Sequence, residues 1–367
     1  MDKYIEALKL EGKNFKEALP LLEQASKEGD YRASYRLAQL YNQGSRVNRD
    51  VEIASQYFDE AFKQINNSTP TSESNCLLGT IYLFGLGTVA KDEFKAVEYF
   101  TKASENNDVN AIVLLANCYR NGVGCDKDDE KAFELISKIK DSGHPSAYKV
   151  YADCLFFGNG VEANPKKAFE YYQKASKAGE VSAIFMLGTL YHEGKGVPVD
   201  NKKALEYFLK AAEFNLPDAL KNVAYFYQNG IGVEKDFLKE AEFMKKYADT
   251  GSAEGLFLYG NLCLDGNRKL YRYAEGIEYL KRAVQLKEPR ATHMVGRIYE
   301  TGLYGTFTNE KVAFNHYLVS YNLGFKPAAY DVLRCYKRGI GTVSNPQQIE
   351  QFEKIVEELD KAKNNQA

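Results

Sequence analysis

The sequence predicts an all-α solenoid, and three observations carry that prediction. One glycine recurs nine times, at Gly44, Gly85, Gly122, Gly158, Gly194, Gly230, Gly266, Gly302 and Gly339, with spacings of 41, 37, 36, 36, 36, 36, 36 and 37 residues. Small residues recur in register with it, and the segments between carry apolar residues at helical spacing. A fixed period of this length marks one supersecondary unit stacked on copies of itself, because a single unit cannot bury its apolar face alone. The 367 residues would ordinarily suggest two or three globular domains, but the period makes them one elongated array. Such a chain is expected to bind other proteins rather than carry out chemistry.

The elements follow in order. Residues 1–32 are expected to form an N-terminal capping hairpin, with helices over Asp2–Leu10 and Asn14–Lys27. Residues 33–344 are the tandem repeats. Counting each unit from zero, offset 0 is Ala33, Ser74, Ala111, Ala147, Ala183, Ala219, Gly255, Ala291 and Ala328. Offset 5 is again Ala or Gly except at Leu333, and offset 8 is Tyr except at Leu155 and Cys263. Offsets 0, 4, 5 and 8 share one helical face, so the small residues admit a neighbouring helix and the aromatic fills the space beyond. The glycine at offset 11 is expected to end this first helix in the left-handed conformation that caps its carbonyls. A second helix is marked by alanines seven apart, as in Ala96 and Ala103, Ala168 and Ala175, or Ala204 and Ala211. The loop between helices ends in a residue suited to cap the second one, namely Asp128, Asn164, Asp200 and Asp236.

Two stretches interrupt the regularity. Gln64–Ser74 is longer and polar, accounts for the spacing of 41, and reads as an extended inter-repeat loop and a mobile joint. The loop from Gly266 to Gly276 (Asn267, Arg268, Lys269, Leu270, Tyr271, Arg272, Tyr273) lacks a second glycine and replaces an alanine by Gly276, which predicts a distorted turn or a functional insertion. Residues 345–360 form a C-terminal capping helix whose polar face carries Glu350, Glu353, Glu357 and Glu358, and 361–367 read as a disordered tail.

The unit running from Ala183-Ile184-Phe185-Met186-Leu187-Gly188 through Tyr191-His192-Glu193-Gly194-Lys195-Gly196-Val197, Asp200 and Lys203-Ala204-Leu205-Glu206-Tyr207-Phe208 to Ala211 resembles the Sel1-like repeat, a relative of the tetratricopeptide repeat. The resemblance covers roughly residues 13–360. It implies a right-handed α/α superhelical solenoid of about ten helix–turn–helix repeats, with the first helices lining a concave surface that grips partners. The amide and lysine set of the tetratricopeptide carboxylate clamp is not reproduced, because offset 3 is usually apolar (Leu77, Leu114, Val150, Met186, Leu258), which argues against a chaperone-tail adaptor.

Composition narrows the partners. A formal charge of −2 provides no field to draw in nucleic acid or anionic lipid. The N-terminus has no apolar run behind a basic start, and no segment approaches a membrane span, so the chain read as complete is expected to be cytoplasmic. Six cysteines (Cys76, Cys118, Cys125, Cys154, Cys263, Cys335) lack the two-per-repeat pattern of disulfide-bonded Sel1-like proteins and read as buried free thiols.

Catalytic and cofactor motifs fail on context. Gly158-Asn159-Gly160 and Gly194-Lys195-Gly196 follow helices and recur with the period, whereas a dinucleotide loop follows a strand. Asp126-Lys127-Asp128-Asp129-Glu130 opens like a calcium loop but has Lys131 and Ser137 where glycine and a bidentate Glu are needed. His144, His192, His293 and His316 form no ligand pair, and no Ser or Cys has an identifiable base. No enzyme, metal or small-molecule cofactor is expected, a site built across repeats being the remaining catalytic alternative.

Offsets 2, 6 and 9 lie opposite the core stripe, with offset 10 at its edge, and these are the positions a partner meets. They predict a protein-binding face made of Phe84, Asn117, Asn121, Phe156, Phe157, Phe185, His192, Tyr225, Asn229, Phe257 and Asn261, a mixture of aromatics and amides suited to hot spots. Its C-terminal end is basic through Arg290, Arg297, Arg334, Lys337 and Arg338, where paired guanidinium donors suit an acidic ligand. The function expected is a scaffold or adaptor. The alternative is a regulatory subunit of one enzyme, like the Sel1-like proteins that activate a polysaccharide synthase or assist membrane-protein degradation.

Overall fold

A computed structural model describes residues 2–44, 46–268, 270 and 272–364. Among the described residues there are twenty α-helices and no strands. The chain divides into two compact units, one made of residues 1–183 with 195–197, the other of 184–194 with 198–367. The N-terminal unit holds α1 (Lys3–Glu11), α2 (Phe15–Lys27), α3 (Tyr31–Gln43), α4 (Val51–Asn66), α5 (Ser72–Phe84), α6 (Glu93–Ser104), α7 (Val109–Asn121), α8 (Asp129–Ile139), α9 (Pro145–Phe157) and α10 (Pro165–Lys177). The C-terminal unit begins within α11 (Val181–Glu193). It continues through α12 (Asn201–Ala212), α13 (Pro217–Asn229), α14 (Phe237–Asp249), α15 (Ala253–Leu264), α16 (Tyr273–Gln285), α17 (Pro289–Thr301), α18 (Glu310–Asn322), α19 (Ala328–Arg338) and α20 (Pro346–Asn364). Odd-numbered helices from α3 to α19 are the first helices of repeats and even-numbered ones the second.

The small-residue positions set the helix spacing. Ala33, Ala111, Ala147, Ala183, Ala219, Ala291 and Ala328 are wholly buried, as are Ala96, Ala103, Ala168, Ala175, Ala204 and Ala211 on second helices. Where offset 5 is glycine, a large second-helix side chain occupies the space: a Cβ on Gly79 would stand 2.5 Å from the ring of Phe100, and one on Gly188 2.7 Å from Phe208. The aromatic at offset 8 stacks on an aromatic of its own second helix. Tyr41 lies on Tyr57, Tyr82 on Tyr99, Tyr191 on Tyr207, and Tyr227 on Phe243, with ring centroids 5.7–6.1 Å apart and planes within 15°. A lysine from the first turn of the second helix covers the same ring, as Lys131 does over Tyr119 at 4.2 Å and Lys239 over Tyr227 at 4.9 Å.

The caps follow the expected chemistry. Gly158 has φ +74° and its N–H bonds the carbonyl of Cys154, and the other first helices except α15 also end on a left-handed glycine. Asp128, Asn164, Asp200 and Asp236 each accept a backbone N–H in the first turn of the second helix. The second loop glycine has a tertiary reason: a Cβ on Gly160 would lie 2.0 Å from the carbonyl oxygen of Asp129, the first residue of the preceding repeat's second helix.

Three expectations are corrected. Gly266 does not cap α15: the helix ends at Leu264, Asp265 after it has extended backbone, and Gly266–Arg268 form a 3-10 turn. The following helix starts at Tyr273, and Arg272 at its N-cap position makes no side-chain cap, so this loop lacks both punctuation marks, while Lys269 and Tyr271 lie outside the described residues. The Gln64–Ser74 loop is shorter than expected, because α4 gains a turn and reaches Asn66 while a Thr71–Ser74 capping box starts α5. Ile65 packs with Leu78 and Ile81 across it. At the C-terminus α20 continues to Asn364, so 361–364 are helical, and 365–367 lie outside the described residues.

Candidate functional site

The outward aromatics divide by what the fold does with them. Phe84 is 62% exposed, Phe157 64% and Tyr225 49%, although each stands on a well-packed first helix. Phe185 and Phe257 are only half-buried, and both are engaged: Phe185 packs on buried Phe208 at 5.3 Å between centroids, and the Arg290 guanidinium covers Phe257 at 4.5 Å. Phe156 holds Phe157 edge-on at 4.8 Å and lies under the Lys195 ammonium. His192 bonds Asn201 through Nδ1 at 2.8 Å and packs on Phe226, tying α11 to the start of α12. Asn121 and Asn229 each donate from Nδ2 to the backbone carbonyl four residues earlier. Asn261 is exposed.

In the N-terminal unit several of these residues come together. A cleft of about 460 Å³ opens between α5 and α7, lined by Leu83, Phe84, Leu114, Cys118 and Val123, with Asn117 and Asn121 along one wall. Lys91 and Glu93 at its rim pair with each other at 2.6 Å. Asn117 and Asn121 share this wall because four residues are about one helical turn.

Two polar clusters absent from the sequence reading link successive repeats. Asp153 on α9 is 4% exposed; its Oδ2 accepts from Arg120 of α7 at 2.9 Å and pairs with Lys149 at 2.8 Å, while Oδ1 accepts the Tyr172 hydroxyl at 2.8 Å. In the C-terminal unit Glu300 of α17 accepts the hydroxyl of buried Tyr317 at 2.6 Å and a two-pronged contact from Arg334 of α19. Arg334 also donates to Asp331, whose other oxygen meets His293 Nε2 at 2.8 Å. The clusters mirror each other: a cation at offset 9 meets an acid at offset 6 of the next repeat in one, and an acid at offset 9 meets a cation at offset 6 in the other. Opposite charges at those offsets in consecutive repeats were the available signal.

The Arg334 hydrogen bond holds the Glu300 carboxyl below its ordinary range. Burial by itself would raise Asp331, yet the bonds from His293 and Arg334 prevail and keep it low. Burial drives the Tyr172 and Tyr317 hydroxyls upward, so both are donors.

The basic end is mostly neutralised where it stands. Arg290 bonds Glu288 at 2.7 Å, Lys337 pairs with Glu353 at 2.7 Å, and Arg334 is committed to Glu300 and Asp331. Arg297 and Arg338 are exposed. All six cysteines are free; burial pushes the Cys76 thiol up to about 12 and those of Cys118, Cys154 and Cys335 to about 11. Among the described residues no His, Cys, Asp and Glu cluster is arranged to hold a metal, and no helix is long and apolar enough to cross a membrane.

No curated protein matches the chain. Among solved structures, a protective antigen present in uropathogenic Escherichia coli strains and displaying an SLR fold is 22% identical, with 92% of this chain and 78% of that one covered and a TM-score of 0.55. A Sel1 repeat protein from Oxalobacter formigenes is 25% identical over 67% of this chain and 97% of its own, at a TM-score of 0.51. Yeast Tom70 shares the fold at 15% identity and a TM-score of 0.50, covering 91% of this chain and 64% of that one. The Sel1 repeat itself is matched at residues 32–66, 72–108, 109–144, 145–180, 181–213, 217–244, 253–287 and 289–325, most of them one helix pair each. With the buried alanines, capping glycines and acidic N-caps repeating through these same stretches, the chain belongs to the Sel1-repeat family.

Proposed function

We propose that this chain is a non-catalytic scaffold or adaptor that binds partner protein segments on the first-helix faces of its repeats. Repeats of this kind generally mediate protein–protein interaction. The observation that carries the reading is the solvent exposure of Phe84, Phe157 and Tyr225, at 62%, 64% and 49%, on helices whose other large apolar residues are used by the core. Exposed rings on a rigid frame provide anchor area at small entropic cost, whereas a free monomer gains nothing from them. Free buried thiols support a reducing, cytoplasmic setting, and a net charge of −2 supports protein rather than nucleic-acid partners. The basic end is assigned a lesser role, through Arg297 and Arg338.

Affinity capture from native lysate tests the reading with wild type and a Phe84→Ala/Phe157→Ala/Tyr225→Ala variant. Because all three rings are exposed, the variant is expected to melt like wild type while losing a specific partner. Retention of every partner would place binding elsewhere and sink the proposal.

A further inference from the structure

We infer that the first-helix face of the N-terminal unit takes an extended peptide carrying a large apolar side chain close to an acidic one, with the apolar group in the α5–α7 cleft and the carboxylate on Arg120 and Lys149. The inference rests on the scaffold reading above and names the ligand class of one of its faces.

Charge selects the acid. Arg120 Nη1 and Lys149 Nζ converge on the same oxygen of Asp153, at 2.9 and 2.8 Å, and its other oxygen is taken by Tyr172. Two cations around one carboxylate leave one positive charge in excess. Their side chains retain 18% and 27% of their exposure, so both are reachable and already partly shielded from water. Guanidinium and ammonium carry five and three donors, far more than Asp153 occupies. A ligand carboxylate placed there completes the charge balance with shortened, charge-assisted hydrogen bonds.

The cleft selects the apolar group. Its volume of about 460 Å³ lies within the range of small-ligand pockets, and Leu83, Phe84, Leu114 and Val123 line it. The rim pair Lys91–Glu93 is self-neutralised at 2.6 Å, so the cleft itself calls for no charge. Among the described residues the Asn117 side chain makes no hydrogen bond, and Asn121 uses Nδ2 on the Asn117 carbonyl with no hydrogen bond to its Oδ1. An amide offers both donor and acceptor, the complement of an extended peptide backbone. Arg120 follows Asn117 by three residues on α7, so the amide wall and the cationic cluster lie on neighbouring strips of one helix.

The test is selection of a phage-displayed random short-peptide library on the full chain, followed by affinity measurement with a synthetic copy of the most enriched sequence. Enriched peptides are expected to carry Leu, Ile, Phe or Met within a few positions of Asp or Glu. Phe84→Ala and Lys149→Gln are each expected to weaken the synthetic peptide about tenfold. Both keep the fold, since Phe84 is exposed and Arg120 remains on Asp153, and thermal melting checks this. Absence of enrichment, enrichment without an acidic residue, or binding indifferent to both variants overturns the inference. Binding lost in Tyr225→Ala but kept in Phe84→Ala and Lys149→Gln would leave the scaffold reading standing and this site refuted; binding unchanged in all three would refute this site, and the capture experiment above decides the scaffold reading.

Discussion

Gly160 illustrates how much one hydrogen atom in place of a methyl decides here. Its φ of +69° already disfavours any side chain, and a Cβ would stand 2.0 Å from the Asp129 carbonyl oxygen, which is helix backbone and cannot swing aside. Gly179 has φ +91° but open space around its Cβ. Gly179→Ala should therefore lose only the conformational component, ~1 kcal/mol, whereas Gly160→Ala should lose about 2–4 kcal/mol. Urea denaturation of the two variants separates the cases, and equal losses would refute the close-packing explanation. At Glu300 the linkage runs through charge. Its folded pKa lies below the ordinary 4.5 because Arg334 bonds the ionised carboxyl. The stabilisation is thus complete above pH 4.5 and is lost as the pH falls through the lower folded value. Glu300→Gln should lower the melting temperature at neutral pH and flatten its decline below pH 4.5; an unchanged acid limb would show the Arg334 contact to be energetically idle.

At the scale of the element, every repeat from α3 to α20 except α15–α16 is punctuated by a left-handed glycine and an acidic or amide N-cap, and most of this was legible in the sequence because both devices are local. Asp128 accepts the Lys131 N–H at 2.8 Å. Asp128→Ala should destabilise the protein by ~1 kcal/mol, with faster amide exchange concentrated in the first turn of α8. Exchange that rises evenly over the whole repeat would instead point to lost packing. The distorted turn expected after Gly266 is present, whereas the glycine cap at Gly266 and the extended Gln64–Ser74 loop were misjudged for a physical reason. The polar run Gln64–Asn66 joins α4 because Ile65 finds Leu78 and Ile81 to pack on, and a distant contact overrides local polarity. At Gly266 the glycine is present but its conformation is not, since the missing second glycine and absent N-cap leave the loop a different path.

For the whole molecule, stability is a sum over repeats and the interfaces between neighbours, so unfolding need not be concerted. The chain has no tryptophan, but its own buried thiols report position: Cys76 and Cys118 lie in one compact unit, Cys263 and Cys335 in the other. Thiol labelling across a urea series, read by mass spectrometry, is expected to show the two sets becoming reactive at different midpoints. Coincident midpoints that match circular dichroism would establish a single cooperative transition instead.

The sequence by itself determined the all-α repeat, the register of its small residues, most of the helix caps and the family, because each of these depends on residues within one period. What only the tertiary structure decided is which outward residues remain available. Phe185 and Phe257 were indistinguishable from Tyr225 in the sequence, yet Phe208 and Arg290 engage the first two and leave the third half in solvent. Arg334 and Lys337 read as a free basic surface until Glu300 and Glu353 met them, and Arg120 proved to share Asp153 with Lys149. Several of these partners sit about one repeat away, so only the packing of one helix pair on the next brings them within reach.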